Sequence, residues 1–176
     1  DLHDLGCDAY GASLHKWMLG PMGTGFLFIR EDRRDRFQSV YDEESTPSRP
    51  NYDPIGTADL PVKAALGTAV EFLGNIGIDA IEKRNRFLSD TLKNMLKQMN
   101  NVTLLSGSTD RTSAPGSVIF EVKNVDPVAA VDTLGLEKGI YIDEHARDGH
   151  KALRVSTHFY NTTEEIKTLE KQLSEM

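Results

Sequence analysis

Ser13-Leu14-His15-Lys16-Trp17-Met18-Leu19-Gly20-Pro21-Met22-Gly23-Thr24-Gly25 sets a hydroxyl, an imidazole and an amine close together and follows them with a glycine-rich turn. Residues 6–10 before it and 23–29 read as two short buried strands. The second is expected because Phe26-Leu27-Phe28-Ile29 is a continuous apolar run bounded by Gly25 and Arg30. Residues 11–22 are then a connecting loop, and a loop of this composition can offer several hydrogen-bond donors to an anion. It is not a Walker A loop, in which the Lys-Ser/Thr pair follows the glycines; here the lysine precedes them. A lysine amine is a nucleophile only when deprotonated, against an ordinary pKa of about 10.4. Working lysines therefore sit where the ammonium is disfavoured or where the amine holds a carbonyl as a Schiff base. Trp17 and Met18 are placed to shield Lys16, and Ser13 and His15 to donate beside it.

Outward from this loop, residues 43–61 hold four of the seven prolines together with Ser45, Thr46, Ser48, Asn51 and Gly56, which is turn chemistry for an irregular excursion. Residues 62–76 carry apolar side chains at helical spacing, with Gly77 placed to end the helix. A long amphipathic helix follows over 79–99. Ile81, Leu88, Leu92, Met95, Leu96 and Met99 form its apolar side, and Lys83, Arg84, Asp90, Lys93 and Lys97 its solvated side. Strands are expected over 102–105, 117–122, 139–142 and 152–156, with a helix over 127–138. A last helix begins at Thr162, where Glu165 three residues on completes a capping box and Ile166, Leu169 and Leu173 form the buried stripe. From about Gly77 onward this order describes a compact α+β unit.

The 176 residues, 39% of them hydrophobic, are enough to bury a core. The net charge of −7, from 20 basic and 27 acidic residues, argues against a nucleic-acid partner. The densest basic run, Arg30 to Arg36, is broken by Glu31, Asp32 and Asp35. The lone Cys7 cannot form an internal disulfide, which fits a reducing, cytoplasmic setting. No apolar run approaches the roughly 20 residues that span a bilayer, so no membrane association is expected. The opening Asp1-Leu2-His3-Asp4 reads as mid-domain sequence rather than as a targeting signal. His145 and His150 lie five apart in a glycine-containing loop without a His-Glu-x-x-His pattern or a cysteine pair, so no metal site is expected, and a mobile loop near the substrate is favoured.

Asp4 to Tyr10, the Ser-x-His-Lys-Trp run at 13–17, the Gly-Pro-x-Gly-x-Gly at 20–25 and the strand to Arg30 together resemble the segment around the cofactor lysine in class V aminotransferases. That group includes cysteine desulfurases, kynureninase and isopenicillin N epimerase-like proteins. Arg154-Val155-Ser156-Thr157-His158-Phe159-Tyr160-Asn161-Thr162 is similar to its Arg-x-Ser-x-x-x-Tyr-Asn-Thr segment, and Gly56-Thr57 to its Gly-Thr pair. The resemblance covers nearly the whole chain. It implies an α/β fold, the C-terminal part of a fold-type I pyridoxal-phosphate-dependent transferase. Residues 1–76 would be the remnant of the large cofactor-binding domain, with the Schiff-base lysine loop, and 77–176 the small α+β domain.

The same resemblance implies pyridoxal 5'-phosphate as cofactor, bound covalently by Lys16, which would also move the substrate α-proton. It implies Ser13 and His15 as phosphate ligands, and Thr57 as a contact to the phosphate of the neighbouring subunit, hence a homodimer with shared sites. Arg154 would bind the α-carboxylate of an amino-acid substrate in a bidentate fork; without the family, it reads equally as a strand arginine paired with a surface carboxylate. Two departures matter. Cysteine desulfurases need a thiolate on the loop before Arg154, and residues 143–153 contain none, so the isopenicillin N epimerase-like branch is favoured. The aspartate partner of the pyridine nitrogen and the ring-stacking residue cannot lie in the few residues before Lys16, so this chain by itself is expected to be a poor catalyst. The competing reading is an inactive fragment or degenerate homologue that serves as a folded dimerisation module.

Overall fold

A computed structural model describes residues 2–39, 52, 57, 59–107 and 114–176. Apart from residues 52, 57 and 59–61, the proline-rich excursion expected over 43–61 lies outside the described residues. The chain divides into two compact units, 1–75 and 76–176. Among the described residues, no single helix is long and apolar enough to cross a membrane.

In the first unit, a short helix α1 (Leu2–Leu5) precedes strands β1 (Ala9–Ser13) and β2 (Gly25–Ile29), then a 3-10 turn (Glu31–Arg36) and helix α2 (Leu60–Ile76). The strands pair antiparallel, from Ala9 opposite Ile29 to Ser13 opposite Gly25. The first strand lies further along the chain than the expected 6–10. Gly6, in the left-handed region at φ 67°, closes the unanticipated α1, and only then does the backbone extend. The strands are also not buried as expected: Leu27 in the middle of β2 is 55% exposed. A ladder of two strands presents both faces and both outer edges. It is held laterally by the Tyr10–Phe26 ring stack, 6.0 Å between centroids, across the diagonal of the pair. Past β2, Asp8 gathers Arg33 at 3.2 Å, Arg36 at 3.4 Å and Arg30 at 3.6 Å, while the Arg30 amide donates to the Asp8 carbonyl. Asp59 begins α2 by accepting the Val62 amide at 3.1 Å.

The second unit comprises α3 (Ile78–Leu96), β3 (Val102–Leu104), β4 (Ser117–Val122), α4 (Pro127–Lys138), β5 (Asp143–His145), β6 (Ala152–Ser156) and α5 (Thr163–Ser174). Its sheet runs β3-β4-β6-β5, antiparallel throughout. Alternation along β4 buries Val118, Phe120 and Val122, and Leu153 and Val155 of β6 join them. Leu88, Leu92 and Leu96 of α3, Ala130 and Leu134 of α4, and Ile166, Leu169 and Leu173 of α5 complete this core.

Two expectations fail here. Residues 139–142 are not a strand: Gly139 takes the left-handed C-cap of α4 at φ 67°, and pairing begins only at Asp143. Lys93, assigned to the solvated side of its helix, is fully buried. Asn85, Ser89 and Lys93 recur every fourth residue and form a polar buried stripe beside the leucine one. The Ser89 hydroxyl anchors that stripe by donating to the Pro115 carbonyl at 3.0 Å, so the helix is covered over a wider arc than its leucines indicate.

The cap of α5 forms as the sequence requires. The Thr162 hydroxyl accepts the Glu165 amide at 3.2 Å, and the Glu165 carboxylate accepts the Thr162 amide at 2.7 Å. That Thr162 amide, and after it the Asn161 side chain, hold the Glu165 carboxyl below the ordinary carboxylate range. The contribution is present above the ordinary value and is lost as pH falls through the lowered one. Thr162→Ala leaves the Glu165 amide without its acceptor and is expected to destabilise the protein by about 0.5–2 kcal/mol in denaturant unfolding at neutral pH.

Candidate active site

The lysine loop is the stretch between the ends of β1 and β2. Ser13 is the last residue of β1, opposite Gly25, so its position is fixed by the ladder itself. At the neck, the Thr24 carbonyl accepts the Leu14 amide at 2.9 Å and the His15 Nδ1 at 3.2 Å. A carbonyl can only accept, so that contact places a proton on Nδ1. The Nε2 of His15 is then the nitrogen left without a partner among the described residues, and with Nδ1 protonated it is a donor only in the imidazolium form.

Further in, the Gly20 amide donates to the Leu14 carbonyl at 2.8 Å and the Leu19 amide to the Lys16 carbonyl at 3.1 Å. The buried Thr24 hydroxyl donates to the Pro21 carbonyl at 2.6 Å. Leu19 is held at φ 55°, a left-handed conformation costly for leucine. A β-carbon at Gly20 would lie 2.8 Å from the Leu14 carbonyl oxygen and 2.7 Å from Leu66 of α2. The glycine is therefore required by close approach of backbone to backbone.

Ser13, His15 and Lys16 are thus brought together on one internally bonded loop, and all three are exposed. Among the described residues no side-chain hydrogen bond or ion pair engages Ser13 or Lys16. The expectation that Trp17 and Met18 shield Lys16 is not met, because two flanking side chains do not enclose a residue at the tip of a loop. The donor set nonetheless fits pyridoxal phosphate: a primary amine for the carbonyl, and a hydroxyl and an imidazole for the phosphate. Thr57 is exposed, and Gly56 before it lies outside the described residues. Cys7 is half-buried between α1 and β1.

Arg154 belongs to the second unit, where β6 sets it opposite Asp143 of β5 on one side and Ile119 of β4 on the other. Its Nη2 donates to Asp143 Oδ2 at 2.5 Å, and its Nε is covered without an acceptor among the described residues. Of the two sequence readings of this arginine, the contact seen is the pair with a surface carboxylate. The β5–β6 connection is less free than expected. Glu121 of β4 accepts both the Lys151 amide at 3.0 Å and the His150 ring at 3.1 Å, while Glu144 accepts the Ala146 amide. Among the described residues, no group of three or more His, Cys, Asp or Glu side chains is arranged to hold a metal. Asn161 is structural: it accepts the His158 amide at 2.8 Å, donates to Glu165 at 3.1 Å, and its carbonyl accepts Arg84 at 2.8 Å.

Sequence reasoning missed Asp143, Glu121 and the Gly20 contact. The signal for Gly20 was present, since a Gly-Pro after a functional trio marks a sharp return of the chain. For Asp143 and Glu121 it was not, because sheet register alone makes them neighbours of Arg154 and of the 146–151 loop.

The family model described as Aminotransferase class-V matches residues 1–169. An isopenicillin N epimerase of Amycolatopsis lactamdurans is 31% identical over all of this chain and 48% of its own length. A probable cysteine desulfurase of Methanothermobacter thermautotrophicus is 25% identical over all of this chain and 49% of its own length. The chain thus spans about half the length of the curated relatives it matches. In three dimensions it resembles the cystine C-S lyase C-DES in complex with cysteine persulfide, with a TM-score of 0.79 at 24% identity over 100% of this chain and 48% of that one. The fold is that of the fold-type I pyridoxal-phosphate enzymes.

Gly20→Ala is expected to open the neck of the lysine loop, because the added methyl meets backbone that cannot yield cheaply. Hydrogen exchange of the Leu14 and Gly20 amides should accelerate, with a stability loss of about 1–3 kcal/mol. Gly67→Ala in α2, which meets nothing within 4 Å, should leave both amides protected.

Proposed function

We propose, from the premise that this chain belongs to the aminotransferase class-V family, that it supplies the cofactor lysine and the substrate-carboxylate anchor of a pyridoxal-phosphate enzyme acting on an amino acid. The observation that carries this reading is the trio Ser13, His15 and Lys16, held by backbone bonds on one loop with the Ser13 hydroxyl and the Lys16 amine unengaged among the described residues. Pyridoxal phosphate, when bound, supplies an electron sink that acidifies the α-proton of an amino acid.

The Lys16 amine holds the carbonyl of the cofactor and, when free, takes or returns a proton at the substrate α-carbon. Ser13 Oγ donates to a phosphate oxygen. His15, its Nδ1 committed to the Thr24 carbonyl, donates a second hydrogen bond through Nε2 as imidazolium, a charge-assisted contact suited to a dianion. Thr57 reaches the phosphate of a neighbouring subunit in a homodimer. Arg154 takes the α-carboxylate. The branch we favour is the isopenicillin N epimerase-like one, in which a proton is moved at the α-carbon. Residues 143–153 offer no thiolate for a persulfide, and the 146–151 loop where one would be needed is tied to Glu121. We take the full-length protein as the catalytic unit, since this chain spans about half the length of its curated relatives.

Incubation of the complete protein with pyridoxal phosphate, borohydride reduction and peptide mass mapping should place the adduct on Lys16, and Lys16→Ala should carry none. An adduct on another lysine, or none in the wild type, would sink the enzyme reading and favour a packing or dimerisation module. Arg154→Ala should keep the cofactor but weaken amino-acid binding by about 2–5 kcal/mol in equilibrium titration.

A further inference from the structure

Resting on the reading of Arg154 as a carboxylate anchor, we propose that Asp143 is an internal stand-in for the ligand, a tethered carboxylate that an incoming amino acid must displace. It thereby sets how tightly the site takes carboxylates. The register of β5 on β6 places Asp143 directly opposite Arg154, and the pair closes through a single contact, Nη2 to Oδ2 at 2.5 Å.

That contact uses one of the two donor atoms on the side edge of the guanidinium, Nε and Nη2. A carboxylate that meets an arginine side-on takes Nε and Nη2 together, one oxygen to each. The same chain shows this arrangement at Arg30, whose Nε and Nη2 reach the two oxygens of Asp32 at 2.6 and 3.2 Å. At Arg154 the Nε is covered and has no acceptor among the described residues, so the fork is occupied but not satisfied. An idle buried donor favours any ligand that engages it.

Asp143 is also poorly held. Its side chain is 60% exposed, it stands on a three-residue strand at the edge of the sheet, and Arg154 is its one side-chain partner among the described residues. It can turn into water with little loss. The neighbouring carboxylates are otherwise engaged: Glu144 accepts the Ala146 amide, and Glu121 holds His150 and the Lys151 amide. A free carboxylate with both oxygens in one plane can take Nε and Nη2 at once, which Asp143 does not do from its place in the ladder. Displacement therefore exchanges a one-point contact for a two-point contact. The ligand class is a small carboxylate, and the amine of an amino acid plays no part in the exchange.

The test is a ligand-observed NMR titration of the full-length, cofactor-loaded protein with propionate, a carboxylate without an amine, and with propylamine, an amine without a carboxylate. Exposed ion pairs are weak, so Asp143→Asn and Asp143→Ala should each tighten propionate by about two- to five-fold and leave propylamine unchanged. Glu144→Gln removes the same charge one residue away and should change propionate by less than either. Unchanged or weaker propionate binding in both Asp143 variants overturns the proposal, as does an equal gain in Glu144→Gln, which would reduce the effect to a general field. Wild-type propionate affinity in Arg154→Ala would overturn the anchor reading itself. Loss of binding in Arg154→Ala with no effect at Asp143 would overturn only the stand-in.

Discussion

Four residue pairs between β4 and β6, from Ser117 opposite Ser156 to Phe120 opposite Leu153, fix both the core of the second unit and the presentation of its arginine. Because side chains alternate across a strand, the register that turns Val118, Phe120, Leu153 and Val155 toward the helices also turns Ile119 and Arg154 the other way. A slip of one residue would drive the guanidinium into a core of leucines and bring Leu153 out. The desolvation of an unpaired charge makes that alternative far costlier than any local adjustment. Hydrophobic burial thus enforces the exposure of a polar group that takes no part in it. The same ladder, extended by β5, brings Asp143 to Arg154.

The lysine loop is built on a different principle. Among the described residues, Leu73 is the one buried apolar side chain of the first unit, so little of the described core is available to position the loop. Its shape comes from backbone bonds instead. One carbonyl, that of Thr24, receives both an amide and an imidazole, and one glycine lets the chain pass within contact of itself. Leucine at φ 55° is accepted inside this knot because the bonds on either side over-determine it. The result is a backbone-bonded mount for exposed donors, and groups ordered before a ligand arrives lower the cost of binding it.

Similarity to an isopenicillin N epimerase and to a cysteine desulfurase at 31% and 25% identity places the chain where one scaffold carries more than one chemistry. In this protein the loop between β5 and β6 lacks a thiol, and Glu121 holds its far end.

Local signals carried much of this protein in the sequence. Strands β4 and β6 and helix α4 are expected over 117–122, 152–156 and 127–138, the bounds the structure gives them, whereas Gly139, read as the start of a strand, caps α4. The box between Thr162 and Glu165 needs only neighbours three residues apart. The lysine motif was equally plain, because its residues are contiguous and their chemistry is carried by type and order. What the sequence left undecided depends on residues far apart in the chain. Lys93 reads as solvated from helical spacing, yet it is buried, on a helix whose Ser89 is bonded to the distant Pro115 carbonyl. Strands β1 and β2 read as buried from composition, yet in a two-stranded ladder they stand exposed. Arg154 could be placed on a strand from its apolar neighbours. Its pairing with Asp143, and the idle Nε that pairing leaves, follow from a cross-strand register that only the folded sheet determines.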